Sequence, residues 1–244
     1  MIAGWQGKDA YAMMAYFRAS GFTALGSGMP SKEAPRDWLV WHFTHEDNLP
    51  GIVSSGHLCS QALSKPVVNV ANQEVKARRE SILVAPEENY PSGRMVADHV
   101  PFYIAAKSPM LYAVTHGHQD YRGGAEPLVF LGVSVGAIVD SGLTWCMSDA
   151  NAATDYVRFS RELDRVGEFV DFDLLCQQRW GKSQEDPYRS GRRAAELLVL
   201  DRVPLEMISH VVAKTQVKLD VAHSALASVG GMRQYRVERM FYYD

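Results

Sequence analysis

The chain has 244 residues, 47% of them hydrophobic and 22% charged, which fits one large globular domain or a domain with an appendage. A formal net charge of -3 argues against broad coating of nucleic acid, and no run approaches the roughly 18 apolar residues of a membrane span. The three cysteines form no C-x-x-C pair, so neither a disulfide framework nor a cysteine zinc site is indicated, and we expect a soluble cytoplasmic protein.

The first 37 residues are predicted to form an N-terminal helical extension and linker. Residues 8–20 place Met13, Met14 and Phe17 at helical spacing, and the Gly-, Pro- and Ser-rich stretch 26–35 follows. We therefore expect the main domain to occupy residues 38–244.

The main domain is predicted to open with a strand, a helix and a turn. A core strand is expected over residues 38–44, and the next helix begins at Asp47-Asn48 and ends at Gly56. A short helix over 72–80 and a mobile polar loop over 87–98 follow, and then come strands over 99–105 and 127–135.

In the second half, a helix is expected over residues 147–161. Ser148-Asp149 is typical of a helix cap, and Ala152, Tyr156 and Phe159 would share one face. A polar segment, 181–193, precedes a strand that starts at Glu196. A turn over 204–208 and strands over 209–214 and 235–243 complete the chain.

The histidines do not form a predicted metal site. His42 and His45 have opposite strand parity, so they could share a metal only if the strand ended between them. His116 and His118 share a face but lie in a Gly-rich loop without further ligands, which favours surface histidines. A Walker lysine motif, a dinucleotide fingerprint and a G-x-S-x-G elbow are also missing from the sequence.

Glu196 is the first candidate for a functional residue, because it interrupts an otherwise apolar strand. Burying a carboxylate without compensation costs several kcal/mol. Either Glu196 forms an ordinary strand-end salt bridge with Arg192 or Arg193, or it is held in place for a chemical role.

Four features follow one another along the chain in an order that suits cleavage of the nicotinamide-ribose bond of NAD. They are a histidine on an early strand, an arginine on the next helix (Arg78 or Arg79), an aromatic strand and a glutamate on a late strand. Positive charge develops on the ribose in that reaction, so a carboxylate, an aromatic wall and polar anchors are all useful.

The sequence resembles the DarT family of DNA ADP-ribosyltransferase toxins, most closely the branch that modifies thymidine. The resemblance runs from Trp41 to the C-terminus and rests on five segments in the family's order, together with the closing FYY at 241–243. The segments are WHFTHEDNL at 41–49, NQEVKARR at 72–79, VPFY at 100–103 with KSPMLY at 107–112, SDANA at 148–152 and RAAELLV at 193–199.

The resemblance implies a PARP-like ADP-ribosyltransferase fold of the α+β class, with a split, mainly antiparallel sheet and flanking helices. It implies NAD as co-substrate without a metal, and Arg79 and Glu196 as the catalytic residues. The residues implied to contact NAD are His42, Phe43, Thr44, Gly51, Arg79 and Tyr103. Because a guanidinium is a poor base, we assign Arg79 electrostatic work, either on the anionic base as its proton leaves or on the NAD phosphates.

The resemblance also implies partners. The substrate would be single-stranded DNA, contacted by the 87–98 loop and by Ser148, Asp149 and Asn151, and a macrodomain antitoxin of the DarG type would remove the ADP-ribose. Tyr103, Tyr156 and Trp180 are either stacking residues or core aromatics. A single strand makes physical sense, because the attacked ring nitrogen is hidden in a duplex.

Two departures and two alternatives stand beside this interpretation. Some forty residues precede the histidine strand, and MSDA at 147–150 replaces the family's more usual Phe-Thr-Asp-Gly. The alternatives are a protein ADP-ribosyltransferase or NAD glycohydrolase on the same fold, and a non-catalytic module that binds nucleic acid or an antitoxin. Such a module has no need for the carboxylate of Glu196.

Overall fold

A computed structural model describes residues 21–24, 30–87, 89–117 and 120–243. The helix predicted over 8–20, residues 26–29 of the predicted linker and His118 lie outside them. Phe22 is fully buried, and its ring packs edge-on against Trp38 with 5.2 Å between ring centroids. The part of the first 37 residues that the structure describes thus contributes to the main core. The division of the chain at residue 38 stays a prediction.

Within the described residues, eleven strands form a nine-stranded sheet and a two-stranded sheet. The strands are β1 (Thr23–Ala24), β2 (Trp38–His45), β3 (His57–Cys59), β4 (His99–Tyr103), β5 (Leu128–Ser134), β6 (Trp145–Ser148), β7 (Phe159–Ser160), β8 (Glu196–Leu200), β9 (Arg202–Pro204), β10 (His210–Ala213) and β11 (Gln234–Val237). The large sheet has the order β11-β10-β5-β2-β4-β8-β6-β7, with β1 paired to the start of β2, and β3 pairs with β9.

The large sheet is split in its middle. β2 pairs with β5 along Leu39 to His45, but it meets β4 at one position only, Trp41 opposite Tyr103. Every pairing in this sheet is antiparallel except that of β10 with β11. The predicted split, mainly antiparallel sheet is therefore confirmed, and the gap opens where β2 runs past Trp41.

The helices flank the sheet. They are α1 (Leu49–Ser55), α2 (Gln73–Arg79), α3 (Pro109–His116), α4 (Val135–Asp140), α5 (Val166–Phe169), α6 (Phe172–Leu175), α7 (Arg189–Arg193) and α8 (Gln216–Leu226). Five of them begin after a side chain that accepts a hydrogen bond from a backbone N–H three residues on, a preferred N-cap arrangement. These capping residues are Asn72, Ser108, Ser134, Asp171 and Thr215.

The alternation along β2 separates two cores. Trp38 and Val40 belong to the larger core, whereas Leu39, Trp41 and Phe43 belong to the core on the other side. The strands predicted over 38–44, 99–105, 127–135 and 209–214 and the helices ending at Gly56 and over 72–80 are all present, within one or two residues at each end.

The helix predicted over 147–161 is wrong. β6 ends at Ser148, residues 149–158 form a loop, and β7 follows. Ser148-Asp149 is also a turn signal, and here the Asp149 carboxylate accepts hydrogen bonds from the backbone N–H (2.9 Å) and the Nε (2.6 Å) of Arg158, which closes the loop at its base. Periodicity does not reveal this ion pair between residues nine positions apart.

Two other features of the fold were not anticipated. The final strand ends at Val237 rather than continuing to residue 243, because Phe241 and Tyr242 turn into the second core after a 3-10 turn. Helices α3 to α8 were not predicted, and the exposed Val217 and Val221 blur the apolar pattern of α8.

Candidate active site

A cavity of about 340 Å³ opens beside the gap between β2 and β4, and its volume lies in the range of small-molecule sites. Residues of β2, α1, α2 and β4 and of the segment 61–71 line it. All six residues predicted to contact NAD are on its wall: His42, Phe43, Thr44, Gly51, Arg79 and Tyr103. The fold therefore gathers into one cavity residues that lie up to about sixty positions apart in the sequence.

His42 bridges the gap in the sheet with its side chain. Its Nδ1–H donates to the carbonyl of Pro101 at 3.0 Å, where a backbone pair of β2 and β4 would otherwise form. Burial lowers the pKa of His42 from 6.5, and the neighbouring Arg79 acts in the same direction. His42 is thus a neutral imidazole whose Nε2 is the ring nitrogen left to accept a hydrogen bond.

Asn48 holds one wall of the cavity, a role that the sequence analysis missed. Its Nδ2 donates to the carbonyl of Val68 (2.9 Å) and to the Thr44 hydroxyl (3.1 Å), and its Oδ1 accepts from the Val68 N–H (2.9 Å). The side-chain amide therefore pairs with Val68 as a neighbouring strand would. Asn48 was interpreted as a helix start, but its side chain does not cap α1.

Arg79 and Glu196 form a buried ion pair. Arg79 is the last residue of α2, and its Nη1 lies 3.0 Å from Oε2 and 3.3 Å from Oε1 of Glu196. Its Nη2 is buried and has no hydrogen-bond partner among the described residues, although Arg79 lines the cavity. An anionic group in the cavity would satisfy this orphaned donor. The neighbouring Arg78, the other arginine considered, is exposed.

Glu196 is fully buried and held from three sides. Besides Arg79, the N–H of Ala152 donates to Oε1 at 3.2 Å, and the N–H of Glu196 donates to the Ser148 hydroxyl at 3.0 Å. That hydroxyl donates in turn to the carbonyl of Ala150 at 2.7 Å. Glu196 is not part of the cavity wall, but it contacts Arg79, which is.

The alternative salt bridge between Glu196 and Arg192 or Arg193 is wrong. Arg192 pairs with Asp171 and Asp186. Arg193 is buried and donates to the carbonyls of Lys107, Leu174 and Leu175. Both arginines anchor neighbouring segments, and the ion pair of Glu196 is formed with Arg79 instead.

Tyr103 connects the cavity to the ion pair. It lies opposite Glu196 in the β4–β8 register, and its ring stacks on Phe43 with 5.9 Å between centroids and 16° between planes. Burial, with a smaller contribution from Glu196, raises the pKa of Tyr103 well above 10. Its phenol is therefore neutral, and the stacked pair forms an aromatic wall.

A second buried pair, His99 and Tyr90, lies beside the cavity. His99 lines the cavity, its Nδ1–H donates to the carbonyl of Met95 (2.8 Å), and its Nε2 accepts from the Tyr90 hydroxyl (2.7 Å). Burial lowers the pKa of His99, so the imidazole is neutral. Tyr90 thereby anchors the polar segment predicted as a DNA-contacting loop, and the sequence offered no signal for this contact.

The residues predicted to contact DNA lie in the 149–158 loop and at its start. Ser148 is fully buried beneath Glu196, so a direct DNA contact would require the loop to open. Asp149 is engaged by Arg158. Asn151 is half-buried, and its N–H donates to the carbonyl of Gly191 at 2.9 Å. Their roles in DNA binding stay predictions.

The described residues contain no group of three or more His, Cys, Asp or Glu arranged to hold a metal ion. β2 continues through His45, which puts His42 and His45 on opposite faces of the sheet. In the part of the chain that the structure describes, no helix is long and apolar enough to span a membrane.

The split sheet and the cavity beside a buried Arg-Glu pair are the features of an NAD-dependent ADP-ribosyltransferase. The family profile described as "ssDNA thymidine ADP-ribosyltransferase, DarT" matches residues 41–243. The chain belongs to this DarT family of single-stranded DNA ADP-ribosyltransferases.

Relatives agree with this assignment. The DNA ADP-ribosyl transferase of Mycobacterium tuberculosis is 50% identical over 228 residues, which cover 93% of this chain and 98% of the relative. That match is longer than residues 38–244 and so includes part of the first 37 residues. Two solved structures of Thermus sp. 2.9 DarT are also similar. The complex with ADP-ribosylated ssDNA has a TM-score of 0.76 and 27% sequence identity, and the match covers 86% of this chain and 97% of the Thermus chain. The complex with NAD+ has a TM-score of 0.71 and 28% sequence identity, and the match covers 86% of this chain and 98% of the Thermus chain.

Proposed function

We propose that this chain transfers ADP-ribose from NAD onto thymidine in single-stranded DNA, with Glu196 as the catalytic carboxylate and Arg79 as its electrostatic partner. The observation that carries the assignment is the buried Arg79–Glu196 pair beside a cavity lined by His42 and Tyr103. When bound, NAD supplies the ADP-ribosyl group, and its nicotinamide leaves with the bonding electron pair.

The side chains divide the work by charge. The carboxylate of Glu196 favours the positive charge that develops on the ribose, and the covered site strengthens this interaction. The Nη2 of Arg79 offers a donor to an anion, either an NAD phosphate or the thymine base as its ring nitrogen loses its proton. His42 offers a neutral acceptor, and Phe43 and Tyr103 offer flat apolar surface to a ring.

The test is to incubate the chain with NAD and oligonucleotides that each lack one base, and to measure their masses. We expect one added ADP-ribose on thymine-containing single strands and near-complete loss with Glu196→Ala. Glu206→Ala removes an exposed carboxylate and is expected to behave as the parent chain. NAD consumption without any DNA adduct would instead indicate a glycohydrolase or a protein ADP-ribosyltransferase.

We also propose that the chain acts in the cytoplasm as a toxin that blocks replication, paired with a macrodomain antitoxin of the DarG type. Membership of the DarT family supports this proposal. Incubating the modified oligonucleotide with such a macrodomain is expected to restore the unmodified mass. Persistence of the adduct at macrodomain concentrations above that of the oligonucleotide would contradict the pairing.

A further inference from the structure

Two exposed tyrosines pack against each other close to Glu196. Tyr156 is 39% exposed and Tyr188 is 57% exposed, which is high for large aromatic side chains. Their rings meet edge to face, with 4.9 Å between centroids and 70° between planes. Most of the Tyr188 ring therefore remains in solvent although it already has an aromatic neighbour.

The position of the pair follows from the 149–158 loop. Ala152 donates its N–H to the Glu196 carboxylate, and Asn151 donates to the carbonyl of Gly191 in α7. Tyr156 lies across the same helix, because a Cβ at Gly191 would come within 1.9 Å of its hydroxyl oxygen. Tyr156 thus belongs to the loop whose backbone donates to the Glu196 carboxylate, and Tyr188 immediately precedes the helix against which that loop packs.

The chemistry of this surface suits a single strand of DNA. Apart from the buried Arg193, segments 149–158 and 179–193, which bear the tyrosines, contain five basic and four acidic residues, whereas the whole chain has a net charge of -3. Arg158 is mostly exposed even though it contacts Asp149. Exposed aromatic rings beside guanidinium groups are a common way of binding single-stranded nucleic acid by base stacking.

Trp180, predicted with Tyr156 as a candidate for stacking, differs in its surroundings. Its Nε1–H donates to the Tyr243 hydroxyl at 2.8 Å, and its ring also packs against Tyr112. These contacts indicate a structural role for Trp180. Tyr188, which the sequence analysis did not single out, is the more accessible ring.

We propose that Tyr156 and Tyr188 form a stacking platform for a base that flanks the modified thymidine in the single-stranded substrate. The proposal rests on the proposed function of the adjacent site. Tyr188 supplies the open ring face, and Tyr156 packs against it from the 149–158 loop. The platform binds the strand and takes no part in breaking the bond to nicotinamide.

The experiment compares Tyr188→Leu and Tyr188→Phe by steady-state kinetics with NAD and a thymidine-containing oligonucleotide. Loss of one stacked base predicts a rise of roughly 5- to 150-fold in the oligonucleotide KM for Tyr188→Leu. We expect kcat and the KM for NAD to stay within about twofold of the parent. Tyr188→Phe keeps the ring and is expected to behave as the parent does.

A second arm uses oligonucleotides with a single abasic position on either side of the thymidine. At the position whose base stacks on Tyr188, we expect the missing base to raise the oligonucleotide KM of the parent chain. At the same position it should cause no further rise in Tyr188→Leu, which has already lost the stacking. Tyr235→Leu, an aromatic substitution at the opposite edge of the sheet, serves as the matched control.

The outcomes separate the two proposals. Three results would overturn the platform while DNA transfer persists. They are an unchanged oligonucleotide KM in Tyr188→Leu, an equal rise of that KM in the Phe and Leu variants, and additive effects of Tyr188→Leu and the abasic site at both positions. No transfer by the parent chain to any oligonucleotide would overturn the proposed function together with the platform.

Discussion

Glu196 and Arg79 compensate each other's burial. An isolated carboxylate in an apolar strand is expensive, and here the guanidinium and the Ala152 amide provide its hydrogen bonds. A buried pair adds little net stability over a well-packed apolar pair, but removing one partner leaves the other charge exposed to the full desolvation cost. The pair therefore has to be tested as a unit.

The free energy of unfolding should report this coupling. We expect Arg79→Met to destabilise the chain by about 3 kcal/mol, because it leaves Glu196 buried without a counter-charge. Arg79→Met combined with Glu196→Leu should recover at least about half of that loss. Urea unfolding of both single variants and the double variant measures the coupling, and strictly additive effects would contradict it.

Activity should depend on the guanidinium as well as on its charge. Arg79→Lys keeps a positive charge but loses the fork that offers Nη1 to Glu196 and Nη2 to the cavity. We expect transfer to fall by about 10²-fold, the usual effect of losing one positioned donor. Arg78→Lys, at the exposed neighbour, is the control, and near-normal transfer by Arg79→Lys would argue against a guanidinium-specific role.

At the residue scale, the sequence identified the polar side chains whose chemistry stands out locally. His42, Arg79 and Glu196 were named before the fold was known, and the structure brings them together. Asn48 was named only as a helix start and Tyr90 was not named, because their partners Val68 and His99 are set by tertiary contacts that leave no periodic trace. Ser148 was named for DNA, yet its hydroxyl faces Glu196.

Among the structural elements, the segment 61–71 is hydrogen-bonded to the start of α1 through the side chain of Asn48. Asn48 makes both hydrogen bonds to Val68, and this segment forms one wall of the cavity. A wall fixed in this way lowers the entropy cost of closing around a ligand. The position of the wall should therefore affect binding more than chemistry.

Substituting Asn48→Asp tests that expectation. The carboxylate cannot donate to the Val68 carbonyl or the Thr44 hydroxyl, so both of these hydrogen bonds are lost. We expect the KM for NAD to rise about tenfold with little change in kcat, as loss of one net hydrogen bond predicts. Asn72→Asp, at a position where either residue caps a helix, should leave both constants unchanged. A fall in kcat alone would contradict the prediction.

The 149–158 loop shows where sequence patterns fail at the scale of elements. Its composition and apolar spacing favour a helix, but Asp149 and Arg158 close it as a loop and Ala152 turns inward to Glu196. Tertiary hydrogen bonds outweigh intrinsic helix propensity, which differs by only about 0–1 kcal/mol between ordinary residues.

For the whole molecule, the fold class followed from the resemblance and was confirmed, and most strands were placed from their apolar alternation. The split in the sheet could not be derived from that alternation, because strand pairing joins distant segments. β2 pairs with β5 along its length and with β4 at a single position. The position of the cavity depends on this difference.

Three histidines make the stability of the whole chain depend on pH. Burial lowers the pKa of His42, His99 and His210 from 6.5. As pH falls below 6.5, these histidines take up protons in the unfolded chain but not in the folded chain. Their contribution to the free energy of unfolding is therefore complete above pH 6.5 and declines below it. The slope is at most about 1.4 kcal/mol per pH unit for each histidine.

Urea unfolding at about pH 7.5 and about pH 5.5 measures this decline. His210→Gln should reduce the difference in the free energy of unfolding between the two pH values, whereas His223→Gln, at an exposed position, should leave it unchanged. A difference that is the same in all three chains would show that other groups cause the pH dependence.

Because Glu196 lies behind Arg79 and not on the cavity wall, one substitution separates occupancy from reaction. Glu196→Gln retains the size of the side chain and an oxygen that can accept from Arg79, so we expect it to keep most of its affinity for NAD. Bacteria could then produce the protein without ADP-ribose on their own DNA, and bound compounds would raise its melting temperature according to their affinity. The inactive variant is then a reagent for finding compounds that occupy the cavity.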